Sequence, residues 1–320
     1  MFVWHKRGHI FDPAAHARAG WMHAFAQAPA TLVFDTFVRV YFSCRPRPDA
    51  QGQYVSHAAY VDFDRATLTR ITAVAGRPVL ELGARGTFDE FGTYPMSVIR
   101  HGDEIRAYYG GWTRCVSVPF NVAIGLAISR DGGVSFEKQA PGPVLPADPD
   151  EPFVISGPKI RRFGGRWYLW YIAGTKWIPT DGRPEPVYRI RMATSDDGVQ
   201  WTRSHRELIP PRLEADECQA SPDVIFANGA YHMFFCYRYS LGYRGRERGY
   251  RIGYARSTDL TTWVRDDDRA GIDVSDEGWD SEMVSYPHVF EVDGRTLMLY
   301  LGNDVGRHGF GLAELQGTLS

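Results

Sequence analysis

The feature that most constrains this chain is a unit of roughly 64 residues that recurs five times. Its copies centre on "APATLVFDTFVRVYFS" (28–43), "YPMSVIRHGDEIRAYYGG" (94–111), "GPKIRRFGGRWYLWYIAG" (157–174), "SPDVIFANGAYHMFFCYR" (221–238) and "YPHVFEVDGRTLMLYLGN" (286–303). Each opens on a proline, runs through an apolar strand pattern, turns, and continues into an aromatic-rich strand. The prolines Pro29, Pro95, Pro158, Pro222 and Pro287 fall 66, 63, 64 and 65 residues apart. In the last four copies the turn holds a glycine: Gly102, Gly164/Gly165, Gly229 and Gly294.

A second motif follows three of these copies. "AISRDGGVSFEK" (127–138), "ATSDDGVQWTR" (193–203) and "ARSTDLTTWVR" (255–265) share a strand end, an Asp-containing tight turn and a Phe or Trp opening the next strand. "AAYVDFDRATLTRI" (58–71) is a looser version. Each unit therefore reads as four antiparallel strands. An aromatic content of 14% with 33 Gly and 20 Pro suits many short strands.

A single such unit cannot bury both faces, and radial repetition leaves only short, protected edges. The expected fold is all-β: a five-bladed β-propeller of four-stranded antiparallel blades, forming one domain over residues 1–320 with no interior linker. The fifth unit ends at "FGLAELQGTLS", one strand short, and "FVWHKRGHIFDP" at the chain start matches the missing strand. The N-terminal strand around Val3–Lys6 is expected to pair into the last blade and close the ring. Only "DPAAHARAGWMHAFAQ" (12–27) reads as helical.

A net charge of −2 with 23% charged residues gives no electrostatic reason to expect nucleic acid or an anionic membrane as partner. Cys44, Cys115, Cys218 and Cys236 are scattered, without metal-ligand spacing. With no apolar segment of signal-peptide or membrane-span length, the expected setting is the cytoplasm, with free and mostly buried thiols.

Five units of this length, each opening on a proline-bearing strand, resemble the five-bladed β-propeller glycosidase superfamily, which includes glycoside hydrolase families 32, 43 and 68 and the mannoside phosphorylases of family 130. The resemblance covers nearly the whole chain as a blade pattern. It implies a site at one mouth of the central channel, where the first strands of the blades converge. In families 32 and 43, acidic residues serving as base, modulator and acid stand beside the strand-opening prolines or one or two positions before them. Here those places hold Gln27-Ala28, Thr93-Tyr94, Ser156-Gly157, Ala220-Ser221 and Ser285-Tyr286. None is acidic, so the trio does not carry over.

Carboxylates stand slightly earlier, in the loops entering the inner strands: Asp89 and Glu90, Asp150 and Glu151, Asp216 and Glu217, Asp280 and Glu282. Glu90, Glu217 and Glu282 each precede their proline by five residues, and blade 1 has His23 in this region. Crowded carboxylates split their pKa values, as glycoside cleavage requires of an acid and a base or nucleophile. Glu217 is therefore the candidate general acid, with Glu90 or Glu282 as base or nucleophile. His23, Asp89, Glu151, Lys159, Asp223, His288, Trp112 and Arg238 are candidates to hold the sugar. Arg238 begins a segment of six arginines interleaved with tyrosines (236–256), a composition suited to carboxylates or phosphates.

No motif for a bound cofactor or metal is present. A divalent cation at the channel mouth is compatible with the carboxylates and not required by them. The leading functional expectation is an enzyme acting on a glycosidic bond of a carbohydrate or sugar-like substrate, neutral or anionic. The alternatives are a phosphorylase or another enzyme on the same scaffold acting on an anionic sugar or non-glycosidic substrate, and a glycan-binding propeller without catalysis.

Overall fold

The computed structural model describes residues 1–16 and 20–320. It contains five four-stranded antiparallel sheets. Their inner strands are Ala24–Val33, Gly92–His101, Ile155–Phe163, Cys218–Ala227 and Ser285–Val292. Each inner strand packs against those of both neighbouring blades, and the fifth returns to the first, so the ring is closed. The fold is an all-β, five-bladed propeller.

Closure uses the chain start. Trp4–Phe11 is the outer strand of the fifth sheet, antiparallel to Phe310–Leu315, with Trp4 opposite Leu315 and Phe11 opposite Phe310. Trp4 and Phe11 are buried there. The helix expected over residues 12–27 is not formed. Pro13–His16 makes a single 3₁₀ turn, the inner strand has begun by Ala24, and residues 17–19 lie outside the described residues. In that strand nearly every residue from Ala24 to Val33 is buried, so burial between blades overrides a local pattern compatible with either form.

The repeated motifs have physical causes. At the first hairpins of blades 3, 4 and 5, Gly164-Gly165, Asn228-Gly229 and Asp293-Gly294 all have positive φ, the backbone of a type I′ turn matched to strand twist. At the third-to-fourth strand turns, Asp131, Asp197 and Asp259 each accept two backbone N–H bonds and one from a serine hydroxyl two residues earlier. Neighbouring blades are stapled at these turns: the hydroxyl of Tyr41 donates to the carbonyl of Gly133, and that of Tyr108 to Gly198. A Cβ at Gly133 would stand 2.1 Å from the Tyr41 hydroxyl, so glycine is required there. The apolar core lies between blades, with each large cluster drawing on adjacent sheets.

The proline that opens each unit breaks the ladder locally, because it has no N–H to donate. Register is lost across Gln27/Ala30, Thr93/Met96, Ser156/Lys159, Ala220/Asp223 and Ser285/His288. In four blades the residue before the proline has positive φ: Ala28 (52°), Gly157 (63°), Ser221 (51°) and Tyr286 (51°). In blade 2 the Tyr94–Pro95 bond is cis. These bulges re-aim the chain at one end of the channel.

Candidate functional site

All five pre-proline residues, Ala28, Tyr94, Gly157, Ser221 and Tyr286, line one cavity of about 840 Å³. The bulged entrances of the inner strands thus form its base. Its wall comes partly from the far ends of the second strands. Arg45, Trp112 and Arg238 stand opposite the inner-strand residues Ala24, Gly92 and Cys218 and face the cavity. The remaining wall comes from loops between second and third strands, including Arg183, Arg244 and Arg307.

The charge balance of this lining is strongly positive. Six arginines and Lys159 face two carboxylates, Glu185 and Asp304. Arg114 is paired with Asp49 at 3.2 Å and Arg244 with Glu185 at 3.1 Å. Among the described residues, Arg45, Arg183, Arg238 and Arg307 have no carboxylate within 4.0 Å. Arg45 is held by neutral groups: its guanidinium donates to Gln27, Ser56 and Tyr94 and packs over the ring of Phe25 at 4.3 Å. Glu185 also accepts a bond from the Tyr243 hydroxyl at 3.0 Å, so both its oxygens are engaged.

Arg238 is 2% exposed, and its charge is met only by carbonyls and aromatic groups. Its Nη1 donates to the carbonyls of Tyr239 and Ser240, and its plane lies 3.6 Å from the Tyr243 ring centroid. Its Nε donates to the Tyr250 hydroxyl at 3.0 Å and its Nη2 to the Tyr188 hydroxyl at 3.1 Å. Those two hydroxyls are 2.7 Å apart. Burial raises both phenol pKa values, and the opposing pull of Arg238 does not reverse this, so both phenols keep their protons at neutral pH.

The floor is polar and closed. Lys159 reaches the cavity from the inner strand of blade 3, with Asp223 and His288 behind it. Asp223 accepts from Arg161 at 2.5 Å, from the backbone N–H of Val289 at 2.7 Å and from His288 Nδ1 at 2.7 Å. His288 Nε2 accepts the N–H of Thr31 at 3.0 Å, which sets the neutral tautomer with the proton on Nδ1. Burial opposes the Asp223 carboxylate, but Arg161, Lys159 and His288 outweigh it and hold its pKa well below the usual range. Burial lowers His288 to about 4 despite Asp223, and burial lowers Lys159 to about 8 against the same carboxylate. Lys159 is thus a buried cation with a marginal proton at the bottom of a cationic cavity.

The sequence candidates divide accordingly. Lys159, Trp112 and Arg238 line the cavity, and Asp223 and His288 lie behind Lys159. The carboxylates expected at the mouth do not line it; one in each of blades 2 to 5 forms a clasp within its own blade. Asp89 bonds the Tyr109 hydroxyl at 2.9 Å and Lys138 at 2.6 Å. Glu151 bonds the Tyr171 hydroxyl and Arg203, each at 2.8 Å. Asp280 bonds the Tyr300 hydroxyl at 3.1 Å and Lys6 at 2.7 Å. In blade 4 Glu217 is fully buried, bonding Arg265 at 2.7 Å, Gln219 at 2.9 Å and the backbone N–H groups of Arg212 and Leu213.

Each acid therefore ties the loop before the inner strand to the outer strand of its own blade. Buried carboxylates need such partners, which is why acid and cation recur together. Glu90 accepts the N–H of Gly86 in a turn, Glu282 meets Asn303 and Arg251 through its backbone, and His23 meets Arg45 through its backbone. None of the three lines the cavity.

Sequence reasoning missed Arg45, Arg307, Glu185, Asp304, Tyr188 and Tyr250. For Arg45 a signal was present, because it occupies the second-strand position that Trp112 and Arg238 occupy in their blades. Tyr188 lies near the start of the third strand of blade 3, and the rest lie in loops or just beside them, where the repeat provides no register.

The five-bladed propeller fold is shared with solved glycosidase structures. A solved structure from the GH130 family of mannoside phosphorylases, described as containing glycoside hydrolases that target β-1,2 mannosidic linkages in Candida mannan, superposes with a TM-score of 0.71 at 14% identity, covering 98% of this chain and 94% of that one. A thermostable family-43 glycoside hydrolase gives a TM-score of 0.63 at 14% identity, covering 93% and 91%. At these identities the likeness is one of fold.

By sequence, the uncharacterized protein Rv1502 of Mycobacterium tuberculosis strain H37Rv is 37% identical over 314 residues, which are 98% of this chain and 99% of that protein. The chain belongs to the family of that mycobacterial protein. A β-1,2-mannobiose phosphorylase of Thermoanaerobacter sp. strain X514 is 24% identical over 177 residues, 52% of this chain and 54% of the phosphorylase. No protein-family profile matches the chain.

Proposed function

We propose that this protein is a carbohydrate-active enzyme acting on a glycosidic bond with an oxyanion held in the cavity, and that the oxyanion is inorganic phosphate or an acidic group of the sugar. One observation carries the reading. Four arginines of the cavity lack a carboxylate partner, whereas hydrolysis by paired carboxylates requires two available acids flanking the bond. Of the two carboxylates present, Glu185 is engaged by Tyr243 and Arg244.

Arginine forks match phosphate and carboxylate oxygens, and their charge is strengthened by low-dielectric walls. Transfer to phosphate needs a single proton donor. A phosphate oxygen forms the new bond to the anomeric carbon, the glycosidic C–O bond breaks, and the leaving oxygen takes the proton. Hydrogen phosphate itself carries that proton, so the transfer balances without a protonated carboxyl; Asp304, 58% exposed at the rim, is the other carboxylate of the lining. The partial likeness to a mannobiose phosphorylase supports the same reading.

The test is a panel of disaccharides, β-1,2-mannobiose included, incubated with and without inorganic phosphate and assayed for sugar 1-phosphate. Turnover that depends on phosphate is the expected result. Release of free sugar at equal rates without phosphate assigns hydrolysis. Tight binding with no product across the panel assigns a binding module.

A further inference from the structure

The Tyr188–Arg238–Tyr250 group has one proton more than it can use. Arg238 donates to both hydroxyl oxygens through Nε and Nη2, and a third hydrogen bond joins the hydroxyls. That bond consumes one of the two phenolic protons. The second has no acceptor among the described residues, because neither hydroxyl has any further partner. Both side chains line the cavity, and Tyr188 is the less enclosed, at 7% exposure against 2% for Tyr250. The arrangement that satisfies the deeper hydroxyl has Tyr250 donating inward to Tyr188, leaving the Tyr188 proton facing the cavity.

We infer that Tyr188 is a hydrogen-bond donor to the oxyanion bound in this cavity, with Tyr250 and Arg238 as positioning residues that orient and polarise its hydroxyl. The inference rests on the reading of the cavity as an oxyanion site. Tyr188 accepts two hydrogen bonds, one from a cation, and this makes its own O–H a stronger donor. Its raised pKa keeps the proton in place across the neutral range. A buried hydroxyl proton with no protein acceptor is costly in an empty site and favourable against a charged oxygen, so it discriminates anionic from neutral ligands. Tyr188 comes from the third strand of blade 3, Arg238 from the second strand of blade 4, and Tyr250 from the residue just before the third strand of blade 4. The donor therefore sits on a rigid seam between two blades.

The test is calorimetric titration of the full chain with inorganic phosphate and, separately, with glucuronate. For whichever probe binds, Tyr188→Phe should weaken binding about 10- to 100-fold, the range for a hydrogen bond to a charged group. Tyr250→Phe leaves the outward proton on Tyr188 but removes one of the two bonds that orient and polarise it, so its loss should be smaller than that of Tyr188→Phe, about 3- to 10-fold. Equal losses in the two variants, or no loss in Tyr188→Phe, would overturn the assignment while leaving the oxyanion site intact. Absence of binding of either probe to the unaltered protein would overturn the oxyanion reading and this inference together. Fluorotyrosine at position 188 provides a readout that keeps every hydrogen bond. Its fluorine resonance should move on phosphate or glucuronate addition, and an unmoved resonance during measurable binding would also sink the inference.

Discussion

Lys159 shows how one residue takes its chemistry from its surroundings. On the sequence it is simply the residue after Pro158; in the structure it is a buried cation on the cavity floor with Asp223, Arg161, His288 and Cys236 around it. Burial lowers its pKa from 10.5 to about 8. Anion binding should therefore weaken as pH rises through about 8, when the ammonium loses its proton. Titration with sulfate, whose charge is constant in this range, isolates the effect, and Lys159→Met should flatten the profile. The stability effect has the opposite sign. Because the folded pKa lies below the unfolded one, the unfolded chain holds more protons between about pH 8 and 10.5, and stability from this group rises across that window. Arg238 makes a related point. The arginine-tyrosine composition of its segment was legible as oxyanion chemistry, but its pairing with Tyr188 of another blade was not.

At the scale of the element, the carboxylates before each inner strand are the clearest lesson. Their recurrence at a fixed offset is readable from the sequence, and a ring around the channel is one geometry compatible with it. The structure shows another, in which Asp89, Glu151, Glu217 and Asp280 turn back onto their own blades and hold the outer strands, while Glu90 and Glu282, which share the offset of Glu217, do not. The two cannot be told apart without knowing which face of the loop looks inward, and the partners Lys138, Arg203, Arg265 and Lys6 lie far away in the chain. Glu217→Gln should consequently act on stability. Removing one partner of a buried ion pair costs about 3 kcal/mol or more, reduced here because Arg265 keeps Asp267 at 2.8 Å. A melting temperature lower by about 5 °C, with phosphate affinity unchanged, is the expected outcome. An unchanged melting temperature with lost affinity would return Glu217 to the site.

For the molecule as a whole, closure of the ring decides whether the cavity exists, since all five inner strands contribute to it. Deleting residues 1–10 removes Phe2, Trp4 and the Lys6–Asp280 clasp from the fifth blade. Two buried aromatics alone represent about 3–6 kcal/mol, so differential scanning calorimetry should show a fall of roughly 10 °C. A smaller change than about 3 °C would mean that the outer strand does not hold the ring together. Fold, blade number and the closing strand were determined by the sequence itself, because strand periodicity, turn chemistry and a repeated proline are local signals that five copies make redundant. The composition of the cavity was decided only by the tertiary structure. It is assembled from single residues of five blades at bulges and loop ends, where local signals are weakest, and whether an arginine meets a carboxylate there depends on contacts between segments distant in the chain.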